Sequence, residues 1–193
     1  MNHILIIAEA GVNHNGDFQL AKNLVDAAVD AGVDIIKFQT FNSSKLVTKS
    51  AKQAEYQKKN LNTDENTQLG MLQKLELSFE QHVELIRYCQ EKHIRFFSTA
   101  FDFESADYLD ELMDVYKISS SDLSNIPFIE YQAKKNKPIL LSIGASELDE
   151  IERAVDTIRS QNEKLLTLLH CVLEYPTPLE HANLLKIKAQ FGG

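Results

Sequence analysis

The sequence predicts an α/β protein built on parallel strands. Three observations carry that expectation. Six short apolar runs alternate with helical patterns along the chain. The runs are apolar on both faces, as strands buried between helix layers are. No low-complexity linker and no change of composition divides the 193 residues. Strands that alternate with helices imply parallel pairing with right-handed crossovers. Two closures satisfy that pattern, an open doubly wound sheet and a (β/α)8 barrel.

Each element has a local reason. Residues 4–8 (ILIIA) form the first apolar run. Leu20, Leu24, Ala27, Ala28 and Ala31 recur at helical spacing over 17–31, and Gly32 stops that helix. Residues 33–38 (VDIIKF) are the second strand. The stretch 41–77 is polar and weakly periodic, apart from an amphipathic piece at 69–75. Ser78, with Gln81 three residues on, is a capping box that opens a helix to about Lys92. A strand at 94–98, a helix at 103–113 and a short strand at 115–118 follow. Ser124, Asn125 and the early Pro127 start the next helix. Residues 138–142 make a fifth strand. Ser146 with Asp149 reads as another capping start, for a helix to about Ser160. A sixth strand at 165–170 and a last helix at 179–191 complete the pattern.

Composition excludes several classes of function. With 44% hydrophobic and 25% charged residues, this is the composition of a folded globular chain. A net charge of −8 argues against nucleic acid or an anionic membrane as partner. No apolar run approaches the ~20 residues that span a bilayer. The start of the chain has no basic region and no small-residue cleavage site, so it reads as a strand rather than a signal peptide. Cys89 and Cys171 stand far apart and read as two reduced thiols in a cytoplasmic protein. The first strand-to-helix turn carries no G-x-G-x-x-G, and no loop carries a P-loop motif. There is no H-x-x-x-H, H-x-H or C-x-x-C for a metal, and no G-x-S-x-G for a serine nucleophile.

In parallel α/β folds the chemistry collects at the carboxyl ends of the strands. All six runs end in polar residues. The first ends in Glu9, followed by Asn13 and His14; the second in Lys37, Gln39 and Thr40. The third ends in Ser98, Thr99 and Asp102, and the fourth in Lys117, Ser119, Ser120, Ser121 and Asp122. The fifth ends in Ser142, Gly144 and Ser146, and the sixth in His170, Cys171, Glu174 and Tyr175. A lysine set among apolar residues, as Lys37 and Lys117 are, needs a partner. Two such lysines point to an anionic ligand. The loop 142–146 runs into a helix, whose free N–H groups also suit an anion. Ser146 reads as the cap of that helix, and Ser142 sits too early for that role. Glu9 reads equally as an ion-pair partner of a lysine or as a general acid/base. His170 reads as a satisfied core histidine.

Read together, AEAGVNHNG, DAGVDIIKFQT, FFSTAFD, YKISSSDLSNIPFI, LLSIGAS and LLHC followed by YPTP resemble the sialic acid synthase family. That family includes N-acetylneuraminate synthase and the pseudaminic and legionaminic acid synthases. The resemblance runs through nearly the whole chain. It implies an enzyme that condenses phosphoenolpyruvate with an N-acyl amino sugar and releases phosphate, on a (β/α)8 barrel. Lys37, Thr99, Lys117, Ser120 and Ser142 match the family's phosphoenolpyruvate-binding set. Glu9 matches an acidic residue near the reacting carbons, Asp122 replaces a residue that is often Glu, and Tyr175 matches a sugar-contacting tyrosine. Gln39 and Asn60 are weaker matches. Leu173 stands where some members have a polar residue.

The resemblance also implies a divalent metal, Mn²⁺ or Mg²⁺, whose histidine ligands are expected beyond residue 193. It implies a cytoplasmic enzyme that is a homodimer when complete. A complete barrel takes ~250 residues. The chain is therefore expected to be one partial barrel domain over 1–193, truncated after about six βα units and without the family's C-terminal antifreeze-like domain. Two other readings stand beside this one: a barrel aldolase that forms a Schiff base on Lys117, and a fragment or paralogue without activity.

Overall fold

The computed structural model describes residues 3–48, 51, 67–174 and 176–192. Two of the residues singled out above, Asn60 and Tyr175, lie outside the described residues. The chain divides into two compact units, Met1–Glu111 and Leu112–Gly193.

The first unit holds three parallel strands in sequence order, β1 (Ile7–Gly11), β2 (Ile35–Thr40) and β3 (Arg95–Ala100). Helix α1 (Phe18–Asp30) follows β1. The Asp17 carboxylate caps it, accepting from the Gln19 and Leu20 amides. Gly32, with φ +69°, ends it in the left-handed region. After β2 come a short helix α2 (Ser43–Leu46) and α3 (Gln68–Leu75). Helix α4 (Phe79–Glu91) opens with the expected capping box, both of its bonds formed between Ser78 and Gln81. Helix α5 (Phe103–Asp110) follows β3.

Alternation along β2 sorts its side chains. Ile36 and Phe38 pack with Val25 and Ala28 of α1 and Leu85 and Cys89 of α4 into the apolar core of the unit. Lys37 and Gln39 therefore belong to the opposite face. Burial pushes the Cys89 thiol up to about 12, so it is an inert core residue.

The second unit repeats the scheme with β4 (Tyr116–Ile118), β5 (Ile139–Ser142) and β6 (Leu166–Leu169), again parallel and in order. A 3-10 turn (Ser120–Asp122) and α6 (Ile126–Ala133) link β4 to β5, and α7 (Leu148–Gln161) links β5 to β6. Past β6 lie a second 3-10 turn (Leu179–His181) and α8 (Leu184–Phe191). Tyr116, Leu141, Phe128, Ile129, Ile151 and Ile158 are among its buried residues.

Four local expectations are corrected. The first strand begins at Ile7 and not at Ile4, because its ladder starts where Ile7 meets Ile35. The Ile6 amide instead donates to the Asp34 carboxylate at 2.7 Å, and Ile4, Leu5 and Ile6 are exposed. Helix α7 is capped by Glu147 with Glu150, while the Ser146 hydroxyl turns back to donate to the Gly144 carbonyl. The last expected helix is broken in two around Ala182 and Asn183. Finally, β6 is half-buried along its length rather than covered on both faces.

Candidate functional site

In the first unit the structure brings Glu9, Lys37 and Thr99 together. The register sets Glu9 beside Lys37 and Lys37 beside Phe97. Thr99 lies two residues further along β3, on the same face. Lys37, only 8% exposed, places Nζ 2.5 Å from Glu9 Oε2 and donates to Thr99 Oγ1 at 3.4 Å. Glu9 itself is half in solvent. A bulge between Glu9 and Gly11 aims this carboxylate. Gly11 has φ +54°, and a Cβ there would lie 3.3 Å from Glu9 Oε1 and 3.5 Å from Gln39 Nε2. Gln39 therefore also stands by the group, opposite Thr99 in the ladder.

The same alternation removes two residues from the candidate set. Thr40 and Ser98 face α4: Thr40 Oγ1 lies 2.7 Å from Ser98 Oγ and 3.0 Å from His82 Nε2. His82 Nδ1 lies 2.9 Å from the Ser78 carbonyl, so its proton goes there and Nε2 accepts from Thr40. His14 is also a core residue, 1% exposed. Its Nδ1 accepts from the Gly16 amide, and its buried Nε2 has no partner. Burial, with a smaller push from His82, lowers its pKa to about 4, so the ring is neutral.

In the second unit Lys117 and Ser142 repeat the relation of Lys37 to Thr99. Lys117 sits beside Leu140 in the ladder, and Ser142 is two residues further along β5 on the same face. Both are buried. Lys117 Nζ donates to the Ile118 carbonyl at 2.8 Å. Ser120 Oγ accepts from the Gly144 amide at 2.9 Å. A Cβ on Gly144 would lie 3.0 Å from Ser120 Oγ, 3.0 Å from Cys171 Cβ and 3.1 Å from Leu173 Cγ. The loops after β4, β5 and β6 thus meet at this glycine.

Asp122 closes the group. One of its oxygens, Oδ2, is buried without a hydrogen-bond partner. Burial raises its pKa to about 6, against a lowering influence from Lys117. A carboxyl poised near neutrality can hold or release a proton. The helix start expected to suit an anion after Ser142 carries a capping box made by its own glutamates. The Glu147 amide donates to Glu150 Oε2 at 2.9 Å, the Glu150 amide donates to the Glu147 carboxylate, and Asp149 adds a third negative charge. His170 accepts from the Asn183 amide at 2.9 Å and is half-buried, in keeping with a structural role.

Among the described residues, no three His, Cys, Asp or Glu side chains stand close enough to hold a metal ion. The described residues do not fit a divalent-metal site. No helix among the described residues is long and apolar enough to cross a membrane.

Residues 24–191 match the model of the NeuB family. The chain is 47% identical over 187 residues to an N,N'-diacetyllegionaminic acid synthase of Campylobacter jejuni, covering 95% of this chain and 56% of that protein. It is 44% identical over 184 residues to the N,N'-diacetyllegionaminic acid synthase of Legionella pneumophila, covering 93% of this chain and 51% of that one. In fold it is similar to a crystal structure of N-acetylneuraminic acid synthetase from Leptospira borgpetersenii, with a TM-score of 0.82 and 33% identity. That match covers 98% of this chain and 61% of the other. The chain spans about half the length of the curated relatives it matches.

Proposed function

Because this chain belongs to the NeuB family, we propose that it supplies six βα units of a (β/α)8-barrel synthase joining phosphoenolpyruvate to an N-acyl amino sugar. One observation carries the reading. Each unit buries one lysine at a strand end, with a hydroxyl two residues further along the next strand on the same face. A buried lysine beside a hydroxyl, repeated in both units, supplies charge-assisted donors of the kind that suit a ligand with anionic groups. Phosphoenolpyruvate carries both a phosphate and a carboxylate.

Lys37, Thr99, Lys117, Ser120 and Ser142 bind that anion. C3 of phosphoenolpyruvate forms the new bond to the aldehyde carbon of the open-chain sugar, and the aldehyde oxygen takes up a proton. Water then adds at C2, and the C–O bond to phosphate breaks. Glu9, half in solvent and paired to Lys37, is placed to orient the water or move its proton. Asp122 is the second proton-bearing group. The protein's share is positioning and electrostatics. The location in the cytoplasm and the homodimer are part of the same proposal.

Two of the relatives are named for a product with two N-acetyl groups. Phosphoenolpyruvate contributes no nitrogen, so both groups must come from the sugar. We therefore favour a di-N-acetylated amino sugar over N-acetylmannosamine.

Calorimetric titration of phosphoenolpyruvate into the chain tests the assignment. Lys37→Ala and Lys117→Ala should each weaken binding about tenfold or more, as the loss of a charged hydrogen bond does. Unchanged affinity in both variants overturns it. The buried Lys117 also keeps a second reading alive, a Schiff-base aldolase. Borohydride trapping of a sugar or keto acid on Lys117 would establish the aldolase and remove the synthase.

A further inference from the structure

The turn after β2 is gripped at two consecutive amides by carboxylates from two other loops. The Asn42 amide donates to Asp102 Oδ2 at 2.8 Å, and the Ser43 amide donates to Glu76 Oε2 at 2.9 Å. Asp102 follows β3 and is buried. It also accepts from the Ser105 amide at 2.9 Å and the Ser105 hydroxyl at 2.8 Å. Glu76 follows α3, and the end of α3 lies against the loop after β1. A Cβ on Gly16 would overlap the Lys74 carbonyl. The loops after all three strands of the first unit are thereby tied to one another.

The position of the Asp102 contact matters. Gln39 and Thr99 are partners in the β2–β3 ladder. The Phe101 amide continues that ladder by donating to the Thr40 carbonyl at 3.1 Å. Asp102 to Asn42 is the next rung, made by a side chain where the backbone pairing ends. We propose that Asp102, seconded by Glu76, is a positioning residue for the ligand-binding end of the first unit. It holds the end of β2 against β3 so that Lys37, Gln39 and Thr99 keep their mutual placement. The ligand in question is the phosphoenolpyruvate of the proposed function, on which this inference rests.

Capping of α5 alone would also give Asp102 a purpose, and substitution by serine separates the two roles. Serine is as good a cap as aspartate. Its single, shorter oxygen reaches the Ser105 amide but cannot hold Asn42 as well. The experiment measures amide exchange at Asn42 and Ser43, the melting midpoint, and phosphoenolpyruvate affinity. It compares the unsubstituted chain, Asp102→Ser and Glu76→Ala.

Asp102→Ser should keep its melting midpoint close to that of the unsubstituted chain. It should exchange about tenfold faster at Asn42 and bind phosphoenolpyruvate about three- to tenfold more weakly. Glu76→Ala should shift exchange at Ser43 and affinity in the same directions by less, and it carries the test if the serine variant does not fold. Unchanged exchange, or faster exchange with unchanged affinity, overturns the positioning role alone. Absence of binding in the unsubstituted chain strikes the functional reading first, takes this role with it, and is seen before any substitution.

Discussion

The two units solve the same problem in different ways. In the first, the strand-end lysine Lys37 meets a carboxylate, Glu9, that stays half in solvent. In the second, Lys117 turns to a backbone carbonyl, and the carboxylate nearby, Asp122, keeps one buried oxygen without a partner. A charge paired with an exposed partner costs little to keep. A carboxylate drawn into the protein is held there against its own hydration. The first unit therefore keeps its strand-end cation paired within the fold. The second holds a proton-active group whose charge state is poised to change. His14 and Asp122 differ in sense too, a base kept neutral in the first unit and an acid pushed toward neutrality in the second.

The largest test of this contrast lies in two glycines. Gly16 has φ +75°, and a Cβ there would strike the backbone carbonyl of Lys74. Gly144 would meet mainly side-chain atoms of Ser120, Cys171 and Leu173 at 3.0–3.1 Å. Backbone cannot yield as side chains can. Gly16→Ala should cost about 3 kcal/mol or more, and Gly144→Ala about 1 kcal/mol. Urea unfolding measures both, and equal costs would remove the distinction.

A smaller effect comes from His14. Its pKa is lowered to about 4 in the folded chain from 6.5. Between those values the unfolded chain takes up the proton first, so stability falls as pH falls from 6.5 toward 4. The loss should reach about 2–3 kcal/mol at pH 4. His14→Asn keeps an acceptor for the Gly16 amide and should flatten this slope. Stability measured at half-unit steps across the window decides the matter, and an unchanged slope in the variant contradicts the assignment.

Asp122 should give the smallest effect, of opposite sign. Its pKa rises from 3.8 to about 6 on folding. Across that window the folded chain holds the proton that the unfolded chain has lost, so stability falls as pH rises. Asp122→Asn should therefore gain about 1 kcal/mol at pH 8, after allowance for partial exposure and for the charge withdrawn from Lys117. The gain should vanish below pH 3.8. A gain independent of pH would show that the carboxylate charge is not its source.

Much of the architecture was legible because its causes lie within a few residues of chain. Gly32 after α1 and the box from Ser78 to Gln81 are signals of short range. The lysines were legible for a related reason, since a charge in an otherwise apolar strand stands out at once. Strand limits were less legible. Residues 4–6 are as apolar as any strand, yet β1 starts at Ile7, where its partner starts. Sequence reading also counted Thr40 and Ser98 among the polar residues at the strand ends, and only the structure showed that they face His82.

The chain by itself determined the alternation of six strands with helices, the stop at Gly32, the capping box of Ser78 with Gln81 and the two buried lysines with their hydroxyl neighbours. Tertiary structure decided which polar residues share a face and which carboxylate meets Lys37. It also decided that α7 closes its start with its own glutamates, where the sequence pointed to Ser146. The clamp of Asp102 on Asn42 spans 60 residues, and that of Glu76 on Ser43 spans 33. Local spacing records helix turns and caps because those bonds close within about four residues. Bonds between distant loops depend on how the strands register, and that is set only when the sheet forms.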